Sequence, residues 1–283
     1  MQTVNSIQEL RAVIHAQRMA GKRIGFVPTM GNLHEGHITL VKEGQKHADF
    51  MVSSVFVNPT QFVAGEDFDK YPRTLQQDQE KLTAAGCNLL FAPPVEEMYP
   101  GDQASWASVH VTAITERHCG AARPGHFDGV STVVTKLFNI VRPDVALFGK
   151  KDFQQLAVIR RMTTALCFGI EIVGVDTVRE ANGLAMSSRN GYLSADEKAR
   201  AAVLYRCLCE TRDAIQAGNQ DFANLSDRAN AQLAAAGFVP EYFTVCRADN
   251  LEPASPADRQ LVILAAARMG KARLIDNIDF NLP

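Results

Sequence analysis

Residues 50–57 have the sequence Phe-Met-Val-Ser-Ser-Val-Phe-Val, an almost continuously apolar run. Its β-branched and aromatic residues favour a strand over a helix. A strand without polar–apolar alternation is typical of a parallel sheet that is covered on both faces. We therefore expect residues 50–57 to be a buried strand of a parallel sheet.

Strand and helix patterns alternate on both sides of this segment. Helices are predicted at 6–21, where Ser6 and Glu9 form a capping box, after residue 33, and at 74–85, 130–141 and 153–168. Further strands are predicted at 23–27, stopped by Pro28, and at 88–92, 145–148 and 170–175. This alternation predicts an α/β fold with a Rossmann-like, doubly wound parallel sheet.

The pattern changes after residue 180. Ser194 and Glu197 form a second capping box that begins a long helix, and another helix is predicted at 221–236. Three strands follow without alternation, at 242–247, 260–267 and 271–277. We therefore predict two domains: residues 1–176, with the doubly wound sheet, and residues 177–283, a second, smaller α+β C-terminal domain.

Composition excludes several classes of protein. The 283 residues include 29 Lys and Arg against 31 Asp and Glu. The chain therefore lacks the excess of basic residues that is typical of nucleic-acid-binding proteins. The six cysteines form no C-x-x-C pair, which argues against a zinc or disulfide framework and for reduced thiols in the cytoplasm. No apolar segment is long enough for a membrane span, and no signal peptide is visible.

The first chemically informative segment follows the strand at 23–27 and has the sequence Pro-Thr-Met-Gly-Asn-Leu-His-Glu-Gly-His, residues 28–37. Ligands of open α/β sheets bind where strands end, and a helix start attracts phosphate. On a helix, His34 and His37 would project about 60° apart and could reach one anion, while Gly36 would leave room for a flat base. Two ordinary surface histidines are the alternative. The zinc motif His-Glu-x-x-His is absent, because here the histidines are three residues apart.

Four further loops carry polar side chains beside predicted strands or helices. They contain Asn58 and Gln61, then Arg123 and His126, then Gly149, Lys151 and Asp152, and finally Ser187, Ser188 and Arg189. Amides suit a small polar substrate, lysine suits phosphate, and hydroxyls with a guanidinium suit an oxyanion. Each loop alone could be an ordinary solvated turn or linker. Together they predict an ATP-type phosphate site, because a doubly wound sheet brings such loops to one edge.

The same segments carry a family resemblance. His34-Glu35-Gly36-His37 resembles the HIGH signature of the nucleotidyltransferase superfamily, and Met186-Ser187-Ser188-Arg189 resembles its KMSKS loop. Nearly the whole chain resembles the pantothenate synthetase family. The segments that carry this resemblance are 28–31, 57–62, 71–74, 123–127, 151–155, 187–190 and Arg-Leu-Ile-Asp-Asn at 273–277.

The resemblance implies a carbon–nitrogen ligase of vitamin B5 and coenzyme A biosynthesis. It would use ATP and Mg²⁺ to condense (R)-pantoate with β-alanine to pantothenate, through pantoyl adenylate, releasing AMP and pyrophosphate. The resemblance also implies a cytoplasmic homodimer, with no nucleic-acid or membrane partner.

Residue roles follow from the resemblance by position. The catalytic residues would be His34, His37, Lys151 and Arg189. ATP would also contact Met30, Gly31, Gly149, Asp152, Val178, Met186, Ser187 and Ser188. The substrates would contact Asn58, Gln61, Arg123, His126 and Gln155. Asp78 would be the candidate metal residue, on the side of the site that bears Mg²⁺.

Two positions depart from the family pattern. Lys150 stands where the family usually has an acid, and we expect its side chain to point to solvent; Asp128 stands where the family often has arginine. Two other hypotheses remain. An adenylyltransferase for a phosphate-bearing acceptor would need extra cations in the acceptor pocket, and a non-catalytic nucleotide-binding module would not need a pyrophosphate clamp.

Overall fold

Six parallel strands form the larger sheet of the protein. A computed structural model of the chain describes residues 1–102 and 105–283. The strands of this sheet are β1 (Gln2–Val4), β2 (Ile24–Thr29), β3 (Phe50–Val55), β4 (Leu89–Phe91), β5 (Val145–Gly149) and β6 (Glu171–Val175). Their order is β1-β4-β3-β2-β5-β6, with every pairing parallel. The strand order reverses at β2, which confirms the predicted Rossmann-like, doubly wound sheet.

Seven helices connect or flank these strands among the described residues. They are α1 (Ile7–Met19), α2 (Glu35–Gly44), α3 (Leu75–Ala84), α4 (Val95–Met98), α5 (Cys119–Ala122), α6 (His126–Val141) and α7 (Phe153–Ala165). The capping box predicted for α1 is confirmed, since the Ser6 hydroxyl accepts the Glu9 N–H at 3.2 Å. Strand β1 and the short helices α4 and α5 were not predicted, because three or four residues show too little periodicity.

The prediction that Pro28 ends its strand is wrong. Strand β2 continues to Thr29, and Pro28 is in register with Ser54 of β3. The pairing of β2 with β5 ends earlier, at Phe26 and Ala146. The missing N–H of proline therefore removes no ladder bond on the β5 side.

The C-terminal part of the chain has its own antiparallel sheet. Its strands are β7 (Val239–Arg247), β8 (Gln260–Met269) and β9 (Ala272–Asn281), in the order β7-β8-β9. Its helices are α8 (Ala195–Ala201), α9 (Val203–Gln216) and α10 (Phe222–Ala235). The predicted α+β class is confirmed, as is the capping box of Ser194 and Glu197, although the single long helix is divided at Ala202.

The chain divides into two compact units. The larger comprises Met1–Gly149 and Val158–Val175, and the smaller comprises Lys150–Ala157 and Asp176–Pro283. Each unit buries an apolar core of its own. The segment Lys150–Ala157 thus groups with the C-terminal residues, although it precedes residue 176 in the chain. None of the described helices combines the length and apolar character needed to cross a bilayer.

Candidate active site

The polar loops of the larger unit follow three neighbouring strands. Met30, His34 and His37 come after β2, and Gln61 follows β3 in a 3₁₀ helix, Pro59–Gln61. Gly149 is the last residue of β5. Strands β3, β2 and β5 are adjacent, and the strand order reverses at β2. This is the place at which open α/β sheets bind their ligands.

The two histidines cap helix α2 together. His34 is the N-cap residue, and its Nδ1 accepts the Gly36 N–H at 3.2 Å, while Nδ1 of His37 accepts the His34 N–H at 3.3 Å. The ring centroids lie 4.2 Å apart. A ring nitrogen that accepts a hydrogen bond carries no proton, so each neutral ring is the Nε2–H tautomer. The start of α2 therefore holds two adjacent imidazole donors, which suit phosphate oxygens.

The imidazole of His34 lies beside Gly36. A Cβ atom at this position would lie 2.8 Å from Cε1 and 2.9 Å from Nδ1 of His34. The space that a Cβ would need at Gly36 is therefore filled by the imidazole of His34, and the contact of a flat base with this glycine stays a prediction. Glycine is needed here so that the capping histidine can fold over the helix start.

Asp78 holds the loop that precedes the histidines. It is fully buried, and its two carboxylate oxygens accept the N–H groups of Asn32 at 2.9 Å and Leu33 at 2.8 Å. Lys81, one turn further along α3, donates to the Leu33 carbonyl at 2.6 Å. These contacts support a positioning role for Asp78 and give no support to the predicted role on the metal-bearing side. The described residues contain no group of three His, Cys, Asp or Glu able to hold a metal ion.

Asn58 orients the side-chain amide of Gln61. Its Nδ2 donates to Gln61 Oε1 at 3.0 Å and to the Gly129 carbonyl at 3.2 Å, and its Oδ1 accepts the Tyr99 hydroxyl at 2.9 Å. Gln61 Nε2 donates to the Met30 sulfur at 3.2 Å. One lone pair of Gln61 Oε1 and one N–H of Nε2 are thereby used inside the protein, and the second N–H of Nε2 suits a substrate oxygen.

Arg123 and His126 form a chain of contacts that leads to the same glutamine. His126 Nδ1 lies 2.7 Å from the Gln61 carbonyl oxygen, so Nδ1 donates and Nε2 is left to accept from Arg123 Nη1 at 2.8 Å. Arg123 also donates to both oxygens of Glu66, at 2.5 and 2.8 Å. The sequence predicts His126 in a loop before a helix, but in the structure His126 is the first residue of helix α6. These contacts support an indirect role for both residues, through the backbone of Gln61.

Glu66 is a residue of the site that sequence reasoning missed. Its only sequence signal is an acidic side chain in the loop after β3. Burial alone would raise the pKa of its carboxyl, but the hydrogen bond and charge of Arg123 outweigh burial and hold the pKa below its ordinary value. The ion pair of Glu66 and Arg123 therefore contributes fully to the free energy of unfolding above the pKa of an unfolded glutamate, about 4.3. This contribution is lost as the pH falls through the lowered pKa of Glu66 in the folded protein.

We expect Glu66→Gln to lower the free energy of unfolding by about 2 kcal/mol at pH 7, between the values for exposed and buried ion pairs. The difference from the unchanged protein should begin to shrink below about pH 4, where Glu66 becomes protonated in the unfolded state, and should vanish once the pH is below the lowered folded pKa, where it is protonated in both states. Urea unfolding at several pH values measures this, with the exposed Glu116→Gln as control. A difference that persists unchanged at low pH would exclude the ion pair as its cause.

A second group of predicted residues lies in the smaller unit. Lys151 and Asp152 belong to a 3₁₀ helix, Lys150–Asp152, and Gln155 lies in the first turn of α7. The amine of Lys151 lies 3.8 Å from an Asp152 oxygen. All three side chains are half-buried, so each is accessible to a small ligand from this turn.

The expectation that the Lys150 side chain points to solvent is wrong, because it forms ion pairs. Its amine lies 2.8 Å from Asp176 and 3.1 Å from Asp279. Burial alone would lower the pKa of Lys150, but the hydrogen bonds with the two carboxylates outweigh it and raise the pKa. The cation that replaces the usual acid is therefore part of a local ion-pair cluster within the smaller unit.

The Ser-rich segment is held by a short backbone pairing. The Met186 N–H donates to the Val178 carbonyl at 3.0 Å, and Arg179 bridges to Ala185 in antiparallel fashion. The Ser187 hydroxyl accepts the Arg189 N–H at 3.2 Å and caps a 3₁₀ helix, Ser188–Tyr192. Val178, Met186 and the three residues after it are thus brought together on one side of the smaller unit.

Comparisons with known proteins agree with one another. A family model described as Pantoate-beta-alanine ligase matches residues 2–279. Pantothenate synthetase of Pseudomonas fluorescens strain SBW25 is 58% identical over 282 residues, and that of Azotobacter vinelandii strain DJ is 56% identical, each with 100% of both chains covered.

Solved structures give the same result. Pantothenate synthetase from Thermus thermophilus is 45% identical with a TM-score of 0.92, covering 98% of this chain and 99% of that one. Pantoate-beta-alanine ligase from Francisella tularensis, complexed with beta-gamma ATP and beta-alanine, is 31% identical with a TM-score of 0.81, covering 98% and 97%.

Proposed function

Because the chain belongs to the pantoate–β-alanine ligase family, we propose how its own side chains condense pantoate with β-alanine at the expense of ATP. A carboxylate oxygen of pantoate attacks the α-phosphorus of ATP, and the bond from that phosphorus to pyrophosphate breaks. The amine of β-alanine then attacks the acyl carbon of pantoyl adenylate. An amide forms, AMP leaves with the electron pair, and the amine gives up a proton.

The observation that carries this proposal is the paired histidine cap. The Nε2–H groups of His34 and His37 stand at the N-terminus of α2, beside the end of β2. Donors held in place before the reaction stabilise charge that develops on phosphate oxygens without a cost of reorganisation. We assign both histidines to the ATP phosphates, with Met30 and Gly31 lining the same site.

The smaller unit carries the remaining charge-stabilising groups in our assignment. Lys151 contacts the α-phosphate, where a point charge serves a phosphoryl group in several orientations. Ser187, Ser188 and Arg189 bind the departing pyrophosphate through hydroxyls and a guanidinium. Asp152 takes the ribose hydroxyls. Gly149, Val178 and Met186 contact the adenosine.

Pantoate is assigned to the amides of Gln61 and Gln155. Asn58 and Met30 give Gln61 neutral surroundings, and the charge of Arg123 is balanced by Glu66. An adenylyltransferase that accepts a phosphate would need cations here that are not already paired. The amide surroundings of Gln61 therefore favour a small acceptor with hydroxyls and one carboxylate.

Mg²⁺ remains part of the proposal as an ion bound to the nucleotide. Both oxygens of Asp78 accept backbone N–H groups, so this carboxylate does not fit the part of a magnesium ligand. Mg²⁺ usually keeps several waters and binds substrate phosphates with few protein ligands. No step of the proposed mechanism is assigned to a magnesium site on the protein.

The domain roles, the location and the oligomeric state stay proposals. We propose that residues 1–176 bind ATP and pantoate and that residues 177–283 act as the lid. We also propose a cytoplasmic homodimer, as the family resemblance implies; all six cysteines are free thiols, which suits a reducing compartment. Light scattering at several protein concentrations would test the dimer.

The mechanism is tested by exchange of labelled pyrophosphate into ATP. Exchange should require pantoate and should proceed without β-alanine, because adenylate formation is complete before the amine reacts. Exchange without pantoate would point to another acceptor. No exchange under any condition, with pantothenate still produced, would exclude the adenylate intermediate.

We expect Gln155→Ala to raise the KM for pantoate about tenfold or more and the KM for ATP less than about threefold. A hydrogen bond to a charged group contributes about 1.5–3 kcal/mol, and each 1.4 kcal/mol is a factor of ten. Steady-state kinetics with each substrate varied in turn measure both constants, with the exposed Gln77→Ala as control. Equal effects on the two substrates would remove the pantoate role of Gln155.

A further inference from the structure

Asn277 of strand β9 is a buried polar residue that the mechanism does not use. Only 5% of the residue is exposed. Its Nδ2 donates to two successive backbone carbonyls, that of Lys150 at 2.9 Å and that of Lys151 at 2.8 Å. One side-chain amide thus holds both peptide groups of the turn from which the Lys151 side chain extends.

The backbone of Asn277 belongs to a second hydrogen-bonded network in the same strand. The backbone N–H of Asn277 donates to Asp276 Oδ1 at 2.8 Å. Asp276 in turn accepts two hydrogen bonds from Arg179, at 2.6 and 2.9 Å, and the Arg179 guanidinium lies 3.5 Å from the centre of the Tyr205 ring. Only the NH₂ end of an amide can face two carbonyl oxygens. The position and the direction of the Asn277 amide are therefore both determined.

The same turn has a second attachment to β9. The amine of Lys150 pairs with Asp279, two residues after Asn277, and also with Asp176. This pair is partly exposed, so it is weaker than the buried hydrogen bonds of Asn277. The three residues Lys150, Asn277 and Asp279 hold the 3₁₀ helix Lys150–Asp152 against β9.

We propose that Asn277 is a positioning residue for Lys151, acting through the two carbonyl groups that it holds. The inference rests on the role assigned to Lys151 in the proposed function. An error of about 1 Å in the position of a reacting or charge-stabilising group can reduce a rate about 10²-fold. Loss of both hydrogen bonds frees the turn to move by such a distance, while ATP keeps its other contacts.

The test compares Asn277→Ala with the exposed Asn281→Ala at the end of the same strand, using pantoate-dependent pyrophosphate exchange. We expect Asn277→Ala to lower kcat roughly 10–100-fold and to change the KM for ATP less than about threefold, because the contact matters only when charge develops. Asn277→Ser, whose hydroxyl can hold one carbonyl, should recover part of the rate. If Asn277→Ala does not fold, Asn277→Ser is measured in its place.

A second measurement separates positioning from a general structural role. In a Lys151→Ala background, measured under single-turnover conditions so that slow rates remain detectable, Asn277→Ala should cause less than about a threefold further loss. Equal losses in both backgrounds, or full kcat for Asn277→Ala, would overturn the inference. Full activity of Lys151→Ala itself would instead overturn the proposed function at that residue, so the two failures are distinguishable.

Discussion

Lys151→Ala should reduce pantoate-dependent pyrophosphate exchange roughly 10²–10³-fold, the loss typical of removing one preorganised group that stabilises transition-state charge. The side chain of Lys151 is 19% exposed, and its amine lies 3.8 Å from the Asp152 carboxylate. An ion pair this long contributes little to folding. The expected result is a large loss of rate with an unchanged melting temperature.

The matched control is Lys271→Ala, which removes the same charge from an exposed position in the turn between β8 and β9. Lys151→Arg should recover only part of the rate, because a planar guanidinium does not replace a compact ammonium at a single phosphate oxygen. If Lys151→Ala exchanges at the full rate, the central cation of the site lies elsewhere.

Gly129→Ala should destabilise the larger unit although it places a better helix former in helix α6. Helix propensity alone would favour alanine by about 1 kcal/mol. However, the new Cβ would lie 2.3 Å from the Thr60 carbonyl oxygen and 2.6 Å from the Gln61 Cα. These are backbone atoms, which cannot rotate away as a side chain can. The 3₁₀ helix Pro59–Gln61 or helix α6 must therefore move.

Overpacking of this kind typically costs about 1–3 kcal/mol. Because the gain in helix propensity offsets about 1 kcal/mol of this cost, we expect a net loss of about 1–2 kcal/mol, seen as a fall in Tm of roughly 2–8 °C. The KM for pantoate should rise as well, because the Asn58 amide that orients Gln61 also donates to the Gly129 carbonyl. The exposed Gly169→Ala, whose Cβ would meet nothing within 4 Å, is the control. A Gly129→Ala variant as stable as the parent would show that α6 does not constrain Gln61.

Local pattern was sufficient for most of the regular elements. The apolar run at 50–57 contains β3, which ends at Val55, and both capping boxes form at Ser6 and Ser194. These features depend on periodicity and on contacts within three residues, so the sequence contains all the information they need. Pro28 was mispredicted because its effect depends on how far the neighbouring strand extends.

The roles of individual polar residues were less accessible. Asp78 and Lys150 were placed correctly on their elements, but their partners, Leu33 and Asp279, lie far away in sequence. Glu66 was missed for the same reason, because nothing near it in the chain indicates an arginine partner. The family resemblance implied contacts with ligands or metal for Asn58, Arg123 and Asp78, but it did not indicate the protein groups to which these side chains bond.

The sequence by itself determined the class of fold, the order of strands and helices, and the polar residue types that follow β2, β3 and β5. Only the tertiary structure decided what those side chains do. The Nε2–H tautomer of His34 depends on a local cap, but Asp78 reaches its partner across 45 residues and Asn277 reaches Lys150 across 127. Such contacts arise when distant segments pack together, and no local pattern of residues encodes them.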